Sequence, residues 1–211
     1  APIRFAEEEI NDLSAVRAGF RWIFHTREYH SIICELGGFA QQKNARTLLT
    51  AVALLREVGL VIPRDAVYRG FSQVITLTGL QGRWQLLQQK PKIICDIAHN
   101  EHGLRDVMEQ LKSEQYNQLH MVFGMASDKD RESVLPLLPK EARYYFTRAS
   151  VERALDEQLL QEEARAYGLT GERYGSVAQA VAAAIKNADE NDLIFIGGSS
   201  FVVADALPLF S

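Results

Sequence analysis

"KIICDIAHNEHGLRDVMEQLKSE", residues 92–114, joins a short apolar run to a longer amphipathic one across a polar turn. The first part, "KIICDIA", predicts a strand buried on both faces, and "EHGLRDVMEQLKSE" predicts a helix. A strand with no polar face belongs in a parallel sheet covered by helices on each side. Such sheets hold ligands beyond the carboxyl ends of their strands, which is where "DIAHN" falls.

The same alternation continues downstream. "QLHMVFGM" (118–125), "ARYYFT" (142–147) and "DLIFIGG" (192–198) predict strands. "KDRESVLPLL" (129–138) predicts a short helix, and further helices are expected near 156–167, near 175–187 and over "FVVADAL" (201–207). The expected fold class is therefore α/β, a doubly wound, mostly parallel sheet flanked by helices. Upstream, "TLTGLQGRWQLLQQKPK" (76–92) holds two glycines and a proline and no long period. It predicts a boundary near Gln88 to Pro91, hence domains 1–90 and 91–211. Before it, "PRDAVYRGFSQV" (63–74) predicts a helix opened by Pro63, and "QQKNARTLLTAVALLREVG" (41–59) one that Gly59 stops. Bulky and β-branched residues predict strands in "IRFAE" (3–7), "FRWIFHT" (20–26) and "SIICELGG" (31–38). Three strands without helices of their own leave a sheet edge wanting a partner. The opening "APIRFAEEE" reads as a strand entered mid-fold, so a piece of something longer is expected.

Of the 211 residues 47% are hydrophobic and 24% charged, which excludes disorder. The net charge of −4 and the scatter of basic residues such as Arg17, Arg21 and Arg27 predict no nucleic-acid partner. A nucleotide needs only one or two well-placed cations and is not excluded. Cys34 and Cys95 lie in apolar runs without metal-ligand spacing. They are expected to be buried free thiols in a reducing cytoplasm. No apolar run reaches the roughly 18 residues of a membrane helix, and no signal peptide opens the chain, so no membrane association is expected.

Candidate functional residues cluster after the strands. In "DIAHN", Asp96 can accept from a ribose hydroxyl, and His99 and Asn100 stand near a helix amino end that favours anions; Asn100 also suits a plain helix cap. In "FGMASDKD" (123–130), Lys129 lies between two aspartates, a charged-substrate site or a solvated helix start. In "IGGSS" (196–200), two glycines allow close approach to the backbone, and Ser199 or Ser200 can bond a ligand or cap a helix. Arg83 in "QGRWQ" could reach a phosphate or form a surface ion pair. In "GGFAQQKNA" (37–45), Asn44 offers a donor and an acceptor to adenine, or simply starts a helix. No phosphate loop of the form G-x-x-x-x-G-K-[ST], no G-x-S-x-G and no metal-spaced histidine cluster occurs.

Taken in order, "GGFAQQKNA", "GRWQ", "DIAHN", "FGMASDKD", "RALDEQLL" and "IGGSSFVV" resemble folylpolyglutamate synthase and dihydrofolate synthase, the folate members of the Mur ligase superfamily. "DIAHN" is similar to the family's D-[GA]-A-H-N turn. "DKD" and the run Arg153–Ala154–Leu155 are more typical of its folate branch than of its peptidoglycan ligases. The resemblance runs from about residue 30 to 207. It implies an ADP-forming acid–amino-acid ligase with an amino-terminal ATPase domain and a carboxy-terminal Rossmann-like domain from which L-glutamate enters. The carboxylate of dihydropteroate or a folate is phosphorylated, and the glutamate amine attacks the acyl phosphate.

By position, the resemblance implies Asn44 beside the adenine and Arg83 at the ATP phosphates. Asp96 would touch the ribose or hold the linker, and His99 would lie near the attacking amine or the acyl phosphate. Asn100 and Lys129 would help hold an anionic substrate, and Ser199 would bind glutamate. The chain has "SSFVVADAL" where the family more often has an aromatic two residues after the serine, so Ser200 stays open as the match. ATP and Mg2+ are the implied cofactors, with the phosphate loop and metal ligands expected upstream of residue 1, the isolated chain expected inactive, and a monomer suggested. Two rival readings are a peptidoglycan-precursor ligase and a non-catalytic module binding a small anion, its strand edge covered by oligomerisation.

Overall fold

The computed structural model describes residues 3–210. It divides into two compact units, one running to Gln81 and one from Gly82.

In the first unit, α1 (Ala6–Glu9) precedes three antiparallel strands, β1 (Ser14–Ala18), β2 (Arg21–His25) and β3 (Ile32–Cys34), which lie in sequence order. Gly19, at φ 61°, makes the tight β1–β2 turn, in which Ala18 pairs with Arg21. Alternate residues of the sheet face inward: Trp22, Phe24, Ile32 and Cys34 are buried. They share one core with Ala45 and Leu49 of α2 (Gln41–Glu57) and with Val67 and Phe71 of α3 (Arg64–Ser72). Phe24 meets Phe71 edge-on with ring centroids 6.3 Å apart. A short α4 (Val74–Thr78) ends at Gly79 in the left-handed conformation.

One expectation fails here. Residues 3–7 are not a strand: 3–5 form no regular element and Ala6 begins α1, whose first turn carries Glu7, Glu8 and Glu9 against the helix dipole. The missing strand is Ser14–Ala18, whose alternating exposure is the period-2 signal.

The second unit is the expected α/β fold. Its sheet contains β4 (Gln85–Gln88), β5 (Lys92–Cys95), β6 (Leu119–Phe123), β7 (Arg143–Thr147), β8 (Gly171–Tyr174) and β9 (Leu193–Gly197) in the spatial order β4-β5-β9-β6-β7-β8. All neighbours are parallel except β4, which pairs antiparallel with β5. The interior strands are buried along almost their whole length, as a sheet covered on both faces requires. Its helices are α5 (Glu101–Ser113), α6 (Arg131–Val134), α7 (Glu157–Arg165), α8 (Val177–Asn187) and α9 (Ser200–Ala206). On one face Val177, Ala180, Val181 and Ala184 of α8 and Val202, Val203 and Ala206 of α9 pack on Ile93, Val122, Tyr145 and Ile194.

The border between the units falls before Gly82, ahead of the break expected near Gln88 to Pro91. "QLLQ" accounts for the difference: it carries no strand-forming alternation, yet it bonds to β5 and so belongs to the second sheet.

Candidate functional site

Three parallel strands bring their carboxyl ends into one row. Cys95 of β5 pairs with Ile196 of β9, and Phe123 of β6 pairs with Gly197. The segments that follow, Asp96–Asn100, Gly198–Ser200 and Gly124–Lys129, therefore leave the sheet side by side. They are packed too closely for side chains on their glycines. A Cβ on Gly197 would lie 2.9 Å from the Asp96 carbonyl oxygen, and one on Gly198 2.7 Å from that of Gly124.

Asp96 is the organising residue. It is buried, and both carboxylate oxygens accept backbone N–H groups, Oδ2 from Trp84 at 2.8 Å and Oδ1 from Ala98 at 2.8 Å. Burial pushes its pKa up, against the two amides and the nearby Arg83 charge, which pull it down. The Ile97 N–H donates to the Gly82 carbonyl at 2.9 Å, so residues 82–84 are bound to the strand end at two points. Trp84 is held at φ 49°, a conformation rare outside glycine, with its side chain almost wholly buried. Arg83, between these anchors, is exposed and has no hydrogen bond or ion pair among the described residues. The clamp thus fixes the backbone of Arg83 and leaves its guanidinium available for an anion.

His99 is half-buried, and its Nδ1 lies 3.0 Å from the Ile97 carbonyl oxygen. A carbonyl only accepts, so Nδ1 carries the proton, and in the neutral ring Nε2 is left as an acceptor. Asn100 caps α5: its Oδ1 accepts from the Gly103 N–H at 2.9 Å. Asn100→Ala should cost about 1 kcal/mol of stability in thermal or urea unfolding, and Asn100→Gly only a few tenths. Ser199 caps α9, its Oγ accepting from the Phe201 N–H at 3.2 Å, and is 3% exposed, whereas Ser200 is exposed.

Lys129 stands apart. It lines an open groove of about 480 Å³ with Asp130, Arg131, Glu132 and Glu163, a groove that includes none of Asp96, His99 or Ser199. Its neighbours are already committed: Asp130 caps α6, and Asp128 pairs with Arg153 at 2.7 Å, which holds the exposed Asp128 carboxyl below its usual range. Asn44 belongs to the first unit, exposed in the first turn of α2, where its Nδ2 donates to Gln41 at 3.1 Å. Both cysteines are buried free thiols; burial pushes Cys95 up to about 12, so no thiolate nucleophile stands beside Asp96.

Sequence reading passed over Ser150 and Asp205, which shape this edge, and noted Arg153 only within the run Arg153–Ala154–Leu155. The guanidinium of Arg153 lies 5.5 Å from the Phe201 ring centroid, and Ser150 donates through both N–H and Oγ to Asp205, so the 148–155 segment holds α9 at two positions one turn apart. Gly124 was legible: like Gly197, it directly follows a run of buried strand residues.

A family model described as the Mur ligase, glutamate ligase domain matches residues 82–200. The chain belongs to this family. The matched span begins at the residue that opens the second unit and includes Arg83, Asp96, His99 and Ser199. Among individual relatives, the chain is 32% identical over 163 residues to a probable bifunctional folylpolyglutamate synthase/dihydropteroate synthase of Haloferax volcanii, covering 77% of this chain and 19% of that protein. It is 29% identical over 203 residues to the dihydrofolate synthase/folylpolyglutamate synthase of Escherichia coli, covering 90% of this chain and 45% of the relative. The solved structure of Escherichia coli FolC in complex with DHPP and ADP superposes with a TM-score of 0.73 at 25% identity, over 94% of this chain and 45% of that one. The chain thus spans less than half the length of these Mur ligase relatives. Among its described residues no group of three or more His, Cys, Asp or Glu side chains is placed to hold a metal ion, and no helix is long and apolar enough to cross a membrane.

Proposed function

We propose that this chain supplies the amino-acid side of an ATP-dependent ligase that joins L-glutamate to dihydropteroate or folates through an acyl phosphate. The observation that carries the reading is the Asp96 clamp. It spends both carboxylate oxygens on backbone amides, which favours the linker-holding role over a ribose contact. In doing so it presents Arg83 and His99 at one strand end. In this reading the unit to Gln81 is the tail of an ATP-binding domain, with Asn44 beside the adenine, and the unit from Gly82 is the glutamate domain. Arg83 spreads the charge of the transferring phosphoryl group. The His99 Nε2 acceptor takes a proton from the glutamate ammonium; the freed amine attacks the acyl carbon, and the bond from that carbon to the phosphate oxygen breaks, releasing inorganic phosphate. Ser199 and the glycine turn before it bind the glutamate, with Ser200 the exposed alternative. Asn100 and Lys129 keep structural work, a helix cap and a groove of mixed charge. The reading also requires a phosphate loop and Mg2+ ligands from residues other than these 211. The complete enzyme works in the cytoplasm as a monomer.

The test uses a complete enzyme that contains this sequence and a phosphate loop. Glutamate-dependent ADP release is measured with dihydropteroate and then with tetrahydrofolate. Arg83→Ala and His99→Ala should each lower the rate on the order of 10²-fold or more. Turnover only with nucleotide-linked peptide acceptors would replace the folate reading with the peptidoglycan one. No glutamate-dependent ADP with any acceptor would remove the ligase assignment.

A further inference from the structure

The segment between β7 and α7, residues 148–156, has no helix or strand of its own, yet it joins two of the segments that leave the strand-end row. On one side it meets the segment after β6. Ala154 forms an antiparallel bridge with Ala126, and the Leu155 N–H donates to the Met125 carbonyl at 2.8 Å. Ser127 donates to the Arg153 carbonyl through its N–H at 2.9 Å and its Oγ at 3.1 Å. On the other side it meets α9. Both oxygens of Asp205 accept from Ser150, Oδ2 from the N–H at 2.6 Å and Oδ1 from the Oγ at 2.8 Å. Arg153, three residues on, stands over Phe201, one turn before Asp205 on the same helix face, and donates to Asp128 at 2.7 Å.

We infer that Asp205 is a positioning residue for the amino-acid site: by holding Ser150 it sets Arg153 between Asp128 and Phe201, and so closes one wall from the segment after β6 to the turn that carries Ser199. The inference rests on the reading that glutamate binds at Ser199. Two kinds of contact hold the segment on α9, and they do different work. Ala149 is buried in the core that includes Val202 and Val203, and Val151 and Ala154 pack against that core. Such contacts draw the segment down, but they are non-directional and leave it free to slide along the helix. The two Ser150 bonds are directional and charge-assisted. No other hydrogen bond joins the segment to α9 among the described residues, so these two set its register.

Asp205 acts at a distance. It lies six positions beyond Ser199, about 9 Å along the helix axis, so it works through the segment and not on the ligand. The Arg153–Asp128 pair is more than half exposed on both sides. An ion pair so open to water contributes little by itself, so the place of the Arg153 guanidinium depends on the backbone that carries it. Ser150 is exposed, and its two donors find water when the carboxylate is removed. The cost of losing Asp205 therefore falls on the register of residues 150–153 more than on the fold.

The test uses the complete enzyme, with glutamate and ATP titrated separately. Asp205→Ala should raise the KM for glutamate about five- to tenfold, with kcat and the KM for ATP within about twofold, the signature of lost binding without lost chemistry. Ser150→Ala removes one of the two bonds at an exposed position and should give a smaller rise in the same direction, about two- to threefold. It carries the test if Asp205→Ala does not fold. Asp205→Asn keeps the geometry, since its oxygen accepts the Ser150 N–H and its amide donates to the Ser150 hydroxyl, and should bring the KM back near the wild-type value. A rise that Asp205→Asn does not relieve, a fall in kcat with KM unchanged, or a glutamate KM unmoved in Asp205→Ala and Ser150→Ala would overturn the positioning role. Ser199→Ala separates that result from the reading beneath it. A raised glutamate KM in Ser199→Ala with none in Asp205→Ala overturns the positioning role alone, and no rise in either removes the glutamate site as well.

Discussion

Gly198→Ala is expected to cost about 2–5 kcal/mol, the largest loss at the strand-end row, because it combines a backbone penalty with overpacking. Gly198 sits at φ 87°, where an L side chain meets its own carbonyl. The added methyl would also lie 2.5 Å from the Phe123 ring and 2.7 Å from the Gly124 carbonyl oxygen. Phe123 is fully buried and cannot turn away cheaply, and a backbone oxygen can retreat only by shifting β6. Urea unfolding of the variant measures the cost. A loss under about 1 kcal/mol would mean that the Phe123 ring yields and that the three strand ends are looser than their geometry implies. In a complete enzyme the same substitution should raise the KM for glutamate before it touches the nucleotide, since it moves the Ser199 cap and leaves Arg83 in place.

Asp96→Ala is the second large effect, about 2–4 kcal/mol, for a different reason: it strands the buried N–H of Trp84 and the partly buried N–H of Ala98. With the acceptor gone, only the Ile97–Gly82 bond and the burial of the indole remain against the unfavourable backbone angle of Trp84. Residues 82–84 should relax, bringing the indole into water. The signature is a red shift of Trp84 emission in the folded variant, read against a Trp22→Phe background. Asp96→Asn should not rescue it, since an amide nitrogen would oppose one of the two N–H donors. Full stability in Asp96→Ala with unshifted emission would show that the Ile97–Gly82 bond alone holds the segment, and would leave Arg83 without the clamp proposed for it.

What the sequence disclosed and what it hid follow from where burial acts. The runs ending in Cys95, Phe123, Thr147 and Gly197 were legible because strands covered on both faces leave little room for polar residues. The edge strands were not. Gln85–Gln88 and Gly171–Tyr174 are only partly covered, and at Glu172 and Arg173 exposed, so their composition is that of a loop. What makes them strands is the backbone of a neighbour, which no local pattern records. At the candidate site the turns were legible as polar residues after apolar runs, but the division of labour within them was not. Asp96 read as a ligand contact, and its two oxygens are occupied by the protein's own amides. Asn100 and Ser199 each have a cap to fill. That distinction depends on which way a side chain turns after the strand, a matter of a few dihedral angles.

The place of β9 has a consequence for how the chain is made. It is the last strand in the sequence, yet it lies between β5 and β6, where Lys92 pairs with Leu193 and Leu193 with Leu119. Until Leu193 leaves the ribosome, β5 and β6 have no partner for their facing edges. At about 5–20 residues per second, the hundred or so residues between take roughly 5–20 s to synthesise. Through that interval β5, and from its own synthesis onward β6, presents an apolar strand with open backbone groups, and a translation product halted there keeps them open. The central insertion that leaves β9 buried and paired on both edges thus makes its late arrival a step exposed to aggregation during synthesis.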